Sequence, residues 1–221
     1  VSTTIGSMTY TRNCIQRLDV DFSWYGPVHE FIIPPKDKDG NPIKVTSGIA
    51  EGLHVDVKTD GASWIAEGTE KKYRNHAQIL EEYINYENRD PRWIFYTAQS
   101  YHDSSTIPNN REENLERLRR ATKYYKERTL ITSGYHEERY YSQFRIATIK
   151  KAMDCPWDEV LSECMKAYTM DPLRGESIKT VIDHYQNTTN WNMAYLYSKF
   201  AYETFHKKNP YPQRLLFVDS A

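Results

Sequence analysis

The chain has 221 residues and a mass of 26.1 kDa, enough to bury a core and to form one or two domains. Its formal net charge is −1 and its pI is near 6.7, and basic and acidic residues are mixed along the whole sequence. This balance argues against a nucleic-acid-binding protein that neutralises phosphates. Because there is no signal-peptide pattern and no apolar run of roughly 18 residues, we expect no membrane span.

The three cysteines, Cys14, Cys155 and Cys164, are odd in number and lack the spacing of a disulfide framework or a zinc site. We interpret them as reduced, buried, small hydrophobic residues, which indicates a reducing compartment and hence the cytoplasm. With 18 tyrosines, five tryptophans and a mean hydropathy of −0.78, the core is expected to consist of large amphipathic rings. Trp24 and Trp64 are the candidates for a role outside this packing.

Residues 1 to about 64 have the character of strands and turns. Residues 38–42, Lys-Asp-Gly-Asn-Pro, are typical of a hairpin loop. The stretches with strand character are residues 7–11, 28–33, 43–46 and 53–57. Together they predict a small antiparallel sheet in which His29 and His54 are neighbours.

One turn in this region places two side chains with ligand chemistry next to each other. His29 and Glu30 directly follow Trp24-Tyr25-Gly26-Pro27-Val28. A rigid Gly-Pro turn can hold an imidazole and a carboxylate in place for a metal, a phosphate or a sugar hydroxyl. Such a pair is also a common surface or strand-edge feature, so its interpretation depends on the flanking sequence.

From residue 69 on, the hydrophobic period changes from two to nearly four. An apolar stripe from Tyr73 to Ile84 predicts a helix of about four turns. Asp90-Pro91 predicts the start of the next helix, because aspartate is a good N-cap and proline fits the first helical position. The same periodicity predicts further helices at 111–128, 136–153, 156–170, 176–186 and 192–206.

These helices carry a weak internal repeat. Ala147 and Ile182 are predicted to be equivalent buried positions 35 residues apart, close to the tetratricopeptide period of ~34 residues. Residues 167–172, Ala-Tyr-Thr-Met-Asp-Pro, are typical of the end of a repeat's second helix. We therefore predict a mainly α fold, in which a solenoid of tetratricopeptide-like helix pairs at 69–221 follows a small antiparallel β junction at 1–68.

The order of several short segments suggests a family. The segments are Met8-Thr9-Tyr10-Thr11-Arg12, Arg17-Leu18, the turn at 24–30, Asp60-Gly61-Ala62-Ser63-Trp64 and Pro210-Tyr211-Pro212. In this order they resemble the end of the catalytic domain in inverting, metal-dependent family 2 glycosyltransferases. In one branch of that family, the catalytic domain runs directly into a tail of tetratricopeptide-like helices. The resemblance extends thinly from about Met8 to Asp219.

The resemblance implies transfer of a sugar from a nucleotide-sugar donor to a glycan or protein acceptor, with Mn²⁺ or Mg²⁺ on the diphosphate. It implies His29 as a metal ligand, Glu30 as a catalytic residue that braces His29 or meets the acceptor, and Trp24 and Trp64 as substrate-binding residues. Histidine and carboxylates both suit Mn²⁺. Because successive side chains of a strand point to opposite faces, we expect His29 alone to bind the ion.

A sugar-nucleotide site requires a doubly wound sheet of roughly a hundred residues or more, which residues 1–68 cannot supply. The resemblance therefore implies a catalytic half upstream of Val1, with the present chain inactive alone; a start at valine suits a fragment, a processed product or a trimmed protein. Asp19-Val20-Asp21 has the spacing of a metal-binding pair. We interpret both aspartates as loop carboxylates, with the metal pair as the alternative.

The alternative function is a non-catalytic, tetratricopeptide-like interaction or scaffold module. Helix-pair repeats stack into curved solenoids that bind a partner protein or a second copy. In its favour, predicted helices occupy most of the chain. The tryptophan turn and the hairpin, which a free-standing repeat protein does not need, favour the glycosyltransferase.

Overall fold

The computed structural model describes residues 2–5, 8–11, 15–17, 19–46, 48, 50–56, 68–86, 89–105 and 110–206. The chain is mainly helical, with a small β-containing region before the helices, which confirms the predicted fold class. It forms two compact units, Val1–Lys72 and Tyr73–Ala221, and each is described by itself.

The first unit contains five short strands among its described residues. They are β1 Ser2–Ile5, β2 Met8–Thr11, β3 Ser23–Tyr25, β4 Phe31–Ile33 and β5 His54–Asp56. In one sheet, β1 pairs with β2 antiparallel and with β5 parallel, giving the order β2-β1-β5. β3 and β4 form a separate antiparallel hairpin.

The strand pairing differs from the prediction of one antiparallel sheet. β4 pairs with β3 and not with residues 43–46, which form no strand; Lys36 and Pro42 make only an isolated bridge around the predicted turn. The reason is local, since Pro34-Pro35 has no N–H donors and ends β4. The Pro35 carbonyl still accepts the Ile43 N–H at 2.9 Å, so the predicted turn closes without a strand at 43–46. The single sheet expected to hold His29 and His54 together therefore does not form.

The helical region contains seven α-helices among the described residues. They are α1 Gly68–Tyr86, α2 Pro91–Ser105, α3 Arg111–Leu130, α4 His136–Ala152, α5 Trp157–Met170, α6 Glu176–Asn187 and α7 Trp191–Ala201. The predicted starts and ends of α3 to α6 are confirmed to within two residues. α1 begins five residues before the predicted stripe Tyr73–Ile84, and a π-helical turn, Tyr202–His206, follows α7 where the last helix was expected to continue. None of the helices in this described part is long and apolar enough to cross a membrane.

Side-chain caps fix the start of three of these helices. Asp90 Oδ1 accepts the Arg92 N–H at 2.8 Å, which confirms the Asp90-Pro91 start signal. Asn110 and Asn190 accept N–H groups in the first turns of α3 and α7, at 3.0 and 3.3 Å. Because each cap is a local sequence feature, the starts of these helices can be predicted from the sequence alone.

The helices pack as pairs. α2 packs on α3, α4 on α5 and α6 on α7, and α4 also contacts both α2 and α6. The first helices of successive pairs therefore touch, an arrangement compatible with a helix-pair solenoid.

A hydrophobic cluster joins three helices of two successive pairs. Ala147 of α4, Val160 and Cys164 of α5 and Val181 of α6 are all buried in it. Val181 follows Ala147 by 34 residues. Ile182, predicted to be the buried equivalent of Ala147, is only half-buried, so its predicted burial is wrong.

The cysteines are less uniformly buried than predicted. Cys164 is fully buried, and desolvation raises the pKa of its thiol to about 12. Cys155 is a free thiol that is only half-buried, because it lies in the turn after α4. Cys14 lies outside the described residues.

Candidate functional site

The predicted His-Glu turn is the loop of the β3–β4 hairpin. Trp24 pairs with Ile32 across the two strands, and residues 26–30 form the loop. Gly26 has a φ of 110° and His29 a φ of 57°. Glycine adopts a positive φ without steric cost, whereas for other residues the left-handed region is uncommon. A histidine thus occupies a backbone position that favours glycine.

The loop buries one side chain and presents its neighbours to solvent. Val28 is only 7% exposed, whereas Trp24 is 64% exposed and His29 and Glu30 are also exposed. The strand predicted from residue 28 begins only at Phe31. His29 and Glu30 therefore lie in a loop, and strand alternation gives no reason for them to point in opposite directions.

Metal binding by this loop requires ligands from elsewhere. In the ranges that the structure describes, no group of three or more histidine, cysteine, aspartate or glutamate side chains is placed to hold a metal ion. His29 can supply one imidazole and Glu30 one carboxylate. An ion bound through one or two protein ligands takes its remaining ligands from phosphate oxygens and water. The loop can therefore supply part of a metal site but does not form a complete metal site by itself.

Asp19 and Asp21 lie in the loop before β3, as interpreted from the sequence. Arg17 Nε donates to Asp19 Oδ1 at 2.8 Å, and Arg17 Nη2 donates to the other carboxylate oxygen. The hydrogen bond from Arg17 lowers the pKa of the Asp19 carboxyl group. Asp19 is thus already engaged by a cation.

A cavity of about 500 Å³ opens beside the hairpin. No local sequence pattern predicts it, because its walls come from separate segments of the first unit. Its lining includes Arg17, Asp19, Asp21, Phe22, Ile32, Pro34 and Lys44.

The predicted site residues do not all lie in the described part of the chain. The β3–β4 hairpin carries Trp24, His29 and Glu30. Trp64, the second predicted substrate-binding residue, lies outside the described residues, as do the other residues of 60–64 and residues 210–212.

In the helical unit, a carboxylate not singled out from the sequence joins three helices. Glu81 of α1 accepts hydrogen bonds from the hydroxyl of Tyr101 on α2 and from that of Tyr124 on α3, the latter at 2.6 Å. Arg120 of α3 lies 3.2 Å from the same carboxylate. One sequence feature could have identified Glu81: it directly follows Leu80, a residue of the buried stripe, and a carboxylate next to the core requires polar partners.

The polar contacts of Glu81 shift several pKa values. Burial raises the pKa of Tyr101 to about 12, and the hydrogen bond to Glu81 adds to this effect. Burial alone disfavours the charged form of Glu81, but hydrogen bonds from Tyr101 and Tyr124 together with Arg120 outweigh it, so its pKa is lowered. Glu81 is therefore an ionised structural link between helices.

A wider groove of about 740 Å³ lies along α4 and α5. Arg139 and Lys166 give it two cations, and Met165 and Met170 give it apolar surface. Arg139 Nε donates to the Thr129 carbonyl at 2.9 Å. The groove offers an open contact surface and no catalytic grouping.

No protein-family model matches the sequence, and no curated protein matches it. A functional assignment therefore depends on the hairpin loop, the two cavities and the order of the sequence motifs.

Proposed function

We propose that the chain is the C-terminal portion of a cytoplasmic, metal-dependent family 2 glycosyltransferase. In this proposal the hairpin loop reaches the diphosphate of a nucleotide-sugar donor, and the helical repeats dock a glycan or protein acceptor or a partner. The free thiols of Cys155 and Cys164 support a reducing compartment.

The backbone of His29 is the observation that carries this proposal. Non-glycine residues in sparsely populated backbone regions concentrate at functional sites, because the surrounding structure must maintain the strain. Two other described non-glycine residues with positive φ, Asp154 and Thr189, directly follow helix ends, where the left-handed conformation is expected. His29 follows no helix and is exposed beside Glu30.

Four residues of the β3–β4 hairpin have separate proposed roles. The imidazole of His29 would supply one ligand to a bound Mn²⁺ or Mg²⁺, which would neutralise charge on the leaving diphosphate. Buried Val28 holds the loop in position. Glu30 accepts a hydrogen bond from the imidazole N–H or from an acceptor hydroxyl. Trp24 covers the apolar face of a sugar. The base that deprotonates the acceptor hydroxyl belongs to the upstream half.

His29→Gly tests the proposal because it removes the imidazole and leaves a residue that adopts φ 57° freely. The enzyme is purified at natural length from its source and assayed for nucleoside-diphosphate release from a panel of nucleotide sugars with Mn²⁺. We expect turnover to fall at least about tenfold, or ~1.4 kcal/mol, with an unchanged circular dichroism spectrum.

His136→Ala is the matched control, since His136 is an exposed histidine at the start of α4. It is expected to leave turnover unchanged. Equal turnover of wild type and His29→Gly would refute the role of His29. No nucleoside-diphosphate release from any donor would refute the glycosyltransferase assignment.

A second candidate function is a non-catalytic interaction module, favoured by the contacts of α4 with both α2 and α6. It predicts self-association or partner binding through the helical unit without any nucleotide sugar. Sedimentation velocity over a range of concentrations tests self-association, and Lys166→Glu in the groove along α4 and α5 is the variant to compare.

A further inference from the structure

The groove along α4 and α5 presents accessible apolar surface. Met165 and Met170 of α5 line it, and both residues are half-buried, so part of each side chain remains open to a partner. Methionine is flexible and polarisable, and it is common on surfaces that bind several different partners. The groove therefore offers apolar contact that can adapt to the shape of an incoming side chain.

Two cations line the groove, one from each helix. Arg139 lies on α4 and Lys166 on α5, and the described lining residues include no aspartate or glutamate. Arg139 Nε donates to the Thr129 carbonyl at 2.9 Å, and this uncharged partner does not neutralise the guanidinium group. The Lys166 side chain is 58% exposed, so its ammonium group is accessible to a ligand. A ligand with carboxylates therefore matches the groove in charge.

Glu163, buried next to the groove, does not cancel this positive charge. Its carboxylate lies 3.1 Å from the ammonium group of Lys150 and 3.2 Å from that of Lys166. Lys150 also pairs with Glu159 at 3.1 Å, so these two lysines and two glutamates balance each other. Among these charged groups, the guanidinium group of Arg139 remains in excess.

The dimensions of the groove fit a short helix. From Ser162 to Met170 the α5 wall rises by ~12 Å, which corresponds to about two turns of a docked helix. A small-molecule site encloses most of its ligand, whereas this groove is open. A stable dimer buries roughly 800 Å² per partner, more than a contact of two helical turns supplies. Two cations also neutralise too few phosphates to hold a nucleic acid.

We propose that the groove between α4 and α5 binds an acidic amphipathic helix of a partner protein. The apolar residues of that helix contact Met165 and Met170, and its carboxylates meet Arg139 and Lys166. Helix-in-groove recognition uses apolar anchors at i, i+3, i+4 and i+7, and the flanking charges fix the register of the helix. The proposal rests on the second candidate function, a non-catalytic interaction module, and it requires no glycosyltransferase activity.

The test titrates model helices into the natural-length protein and follows fluorescence anisotropy. Each fluorescein-labelled peptide has about 18 residues, enough to form a helix, with glutamate beside an apolar stripe of leucine, phenylalanine or methionine. A matched set of peptides carries lysine in place of glutamate. We expect a Kd on the order of 10 μM for at least one acidic peptide. Its lysine counterpart should bind at least about tenfold more weakly, because like charges repel.

Three substitutions test the role of charge in the groove. Lys166→Glu is expected to weaken binding of the acidic peptide at least about tenfold. Lys179→Glu is the matched control, because Lys179 of α6 is 56% exposed and also pairs with a carboxylate of its own helix, Asp183 at 2.8 Å. It is expected to leave the affinity unchanged. Thr169→Lys adds a third cation at an exposed position of the groove, and we expect it to strengthen binding severalfold.

Several results would overturn the proposed site. They are equal affinities of the acidic and lysine peptides, equal affinities of wild type, Lys166→Glu and Thr169→Lys, or no binding of any acidic peptide at about 100 μM, ten times the expected Kd. Self-association that Lys166→Glu abolishes would also overturn it, because a second copy would then occupy the groove, although the interaction module would stand. His29→Gly is expected to leave peptide affinity unchanged, so failure of the glycosyltransferase proposal and failure of the groove are distinguishable.

Discussion

At the scale of single residues, backbone conformation separates structural positions from candidate functional ones. Thr189 has a φ of 56° because it ends α6 in a Schellman motif. Its N–H donates to the Gln186 carbonyl at 3.0 Å, and the N–H of Asn190 donates to the Tyr185 carbonyl at 2.9 Å. Threonine is β-branched, so this conformation is strained. The strain at Thr189 therefore has a structural cause, the end of α6.

Thr189→Gly should raise the free energy of unfolding of the helical unit by about 1 kcal/mol, because glycine relieves the left-handed strain and costs some entropy. Urea denaturation followed by circular dichroism measures it. Thr188→Gly is the control, since Thr188 has a φ of −93°, and it should lower stability slightly. Equal destabilisation by both variants would show that Thr189 carries no strain.

At the scale of secondary-structure elements, Glu81 links α1 to α2 and α3. Its folded-state pKa lies below the unfolded value, so its stabilising contribution is present above an unfolded pKa of about 4.3. That contribution is lost as the pH falls through the folded-state pKa. Tyr101 behaves oppositely: its contribution is present below a pH of about 10 and is lost as the pH rises toward its folded-state pKa of about 12.

Glu81→Gln removes the charge that both tyrosine hydroxyls and Arg120 contact. We expect the free energy of unfolding at pH 7 to fall by about 1.5–3 kcal/mol, the range for hydrogen bonds to charged groups. We also expect a smaller loss of stability below pH ~4.3 than in the wild type. Glu82→Gln, at the exposed adjacent position, should match the wild type in both urea and pH titrations. If Glu81→Gln lost as much stability at low pH as the wild type does, a group other than Glu81 would be responsible for the acid sensitivity.

At the scale of the whole helical unit, buried guanidinium groups lie where one helix pair meets the next. Arg174, in the loop between α5 and α6, is only 2% exposed. It pairs with Glu176 at the start of α6 and with Glu137 of α4, the latter at 3.5 Å, and lies 4.7 Å from the ring centre of Tyr140. Arg128 of α3 similarly donates to carbonyls of the loop before α4, at 2.9 and 2.8 Å.

Arg174→Ala should lower the free energy of unfolding by about 3–5 kcal/mol, since it leaves partly buried carboxylates without their cation. Because repeat stability depends on interfaces between neighbours, amide hydrogen exchange should accelerate most in α6 and α7. Arg111→Ala is the control: Arg111 is 87% exposed and lies 3.9 Å from Asp154, and its loss should cost no more than about 1 kcal/mol. Uniform acceleration in every helix would instead indicate a single cooperative core.

The sequence predicted helices well and strand pairing poorly, for physical reasons. Helix periodicity and caps are local, so Leu80 and Ile84 are buried as expected and Asp90 caps α2. Strand partners are chosen over long separations, and the parallel pairing of β1 with β5 has no local signature. The loop at His29 and Glu30 was identified by composition, but its left-handed backbone was not.

The sites that require tertiary proximity were also not predictable. Glu81 meets tyrosines from two other helices, and the cavity beside the β3–β4 hairpin has walls from separate segments. Neither grouping has a fixed spacing in the sequence. Both groupings are formed by residues that are far apart in the sequence and become neighbours only in the folded chain.

The 34-residue separation of Ala147 and Val181 constrains how such a sequence can diverge. Both side chains meet Val160 and Cys164 in one cluster, so a one-residue deletion inside α4, α5 or α6 rotates the following positions by about 100° and removes them from the cluster. Length changes are tolerated mainly in the connecting loops. Changes in length that preserve this cluster are accordingly expected at residues 153–156 and 171–175, between the three helices.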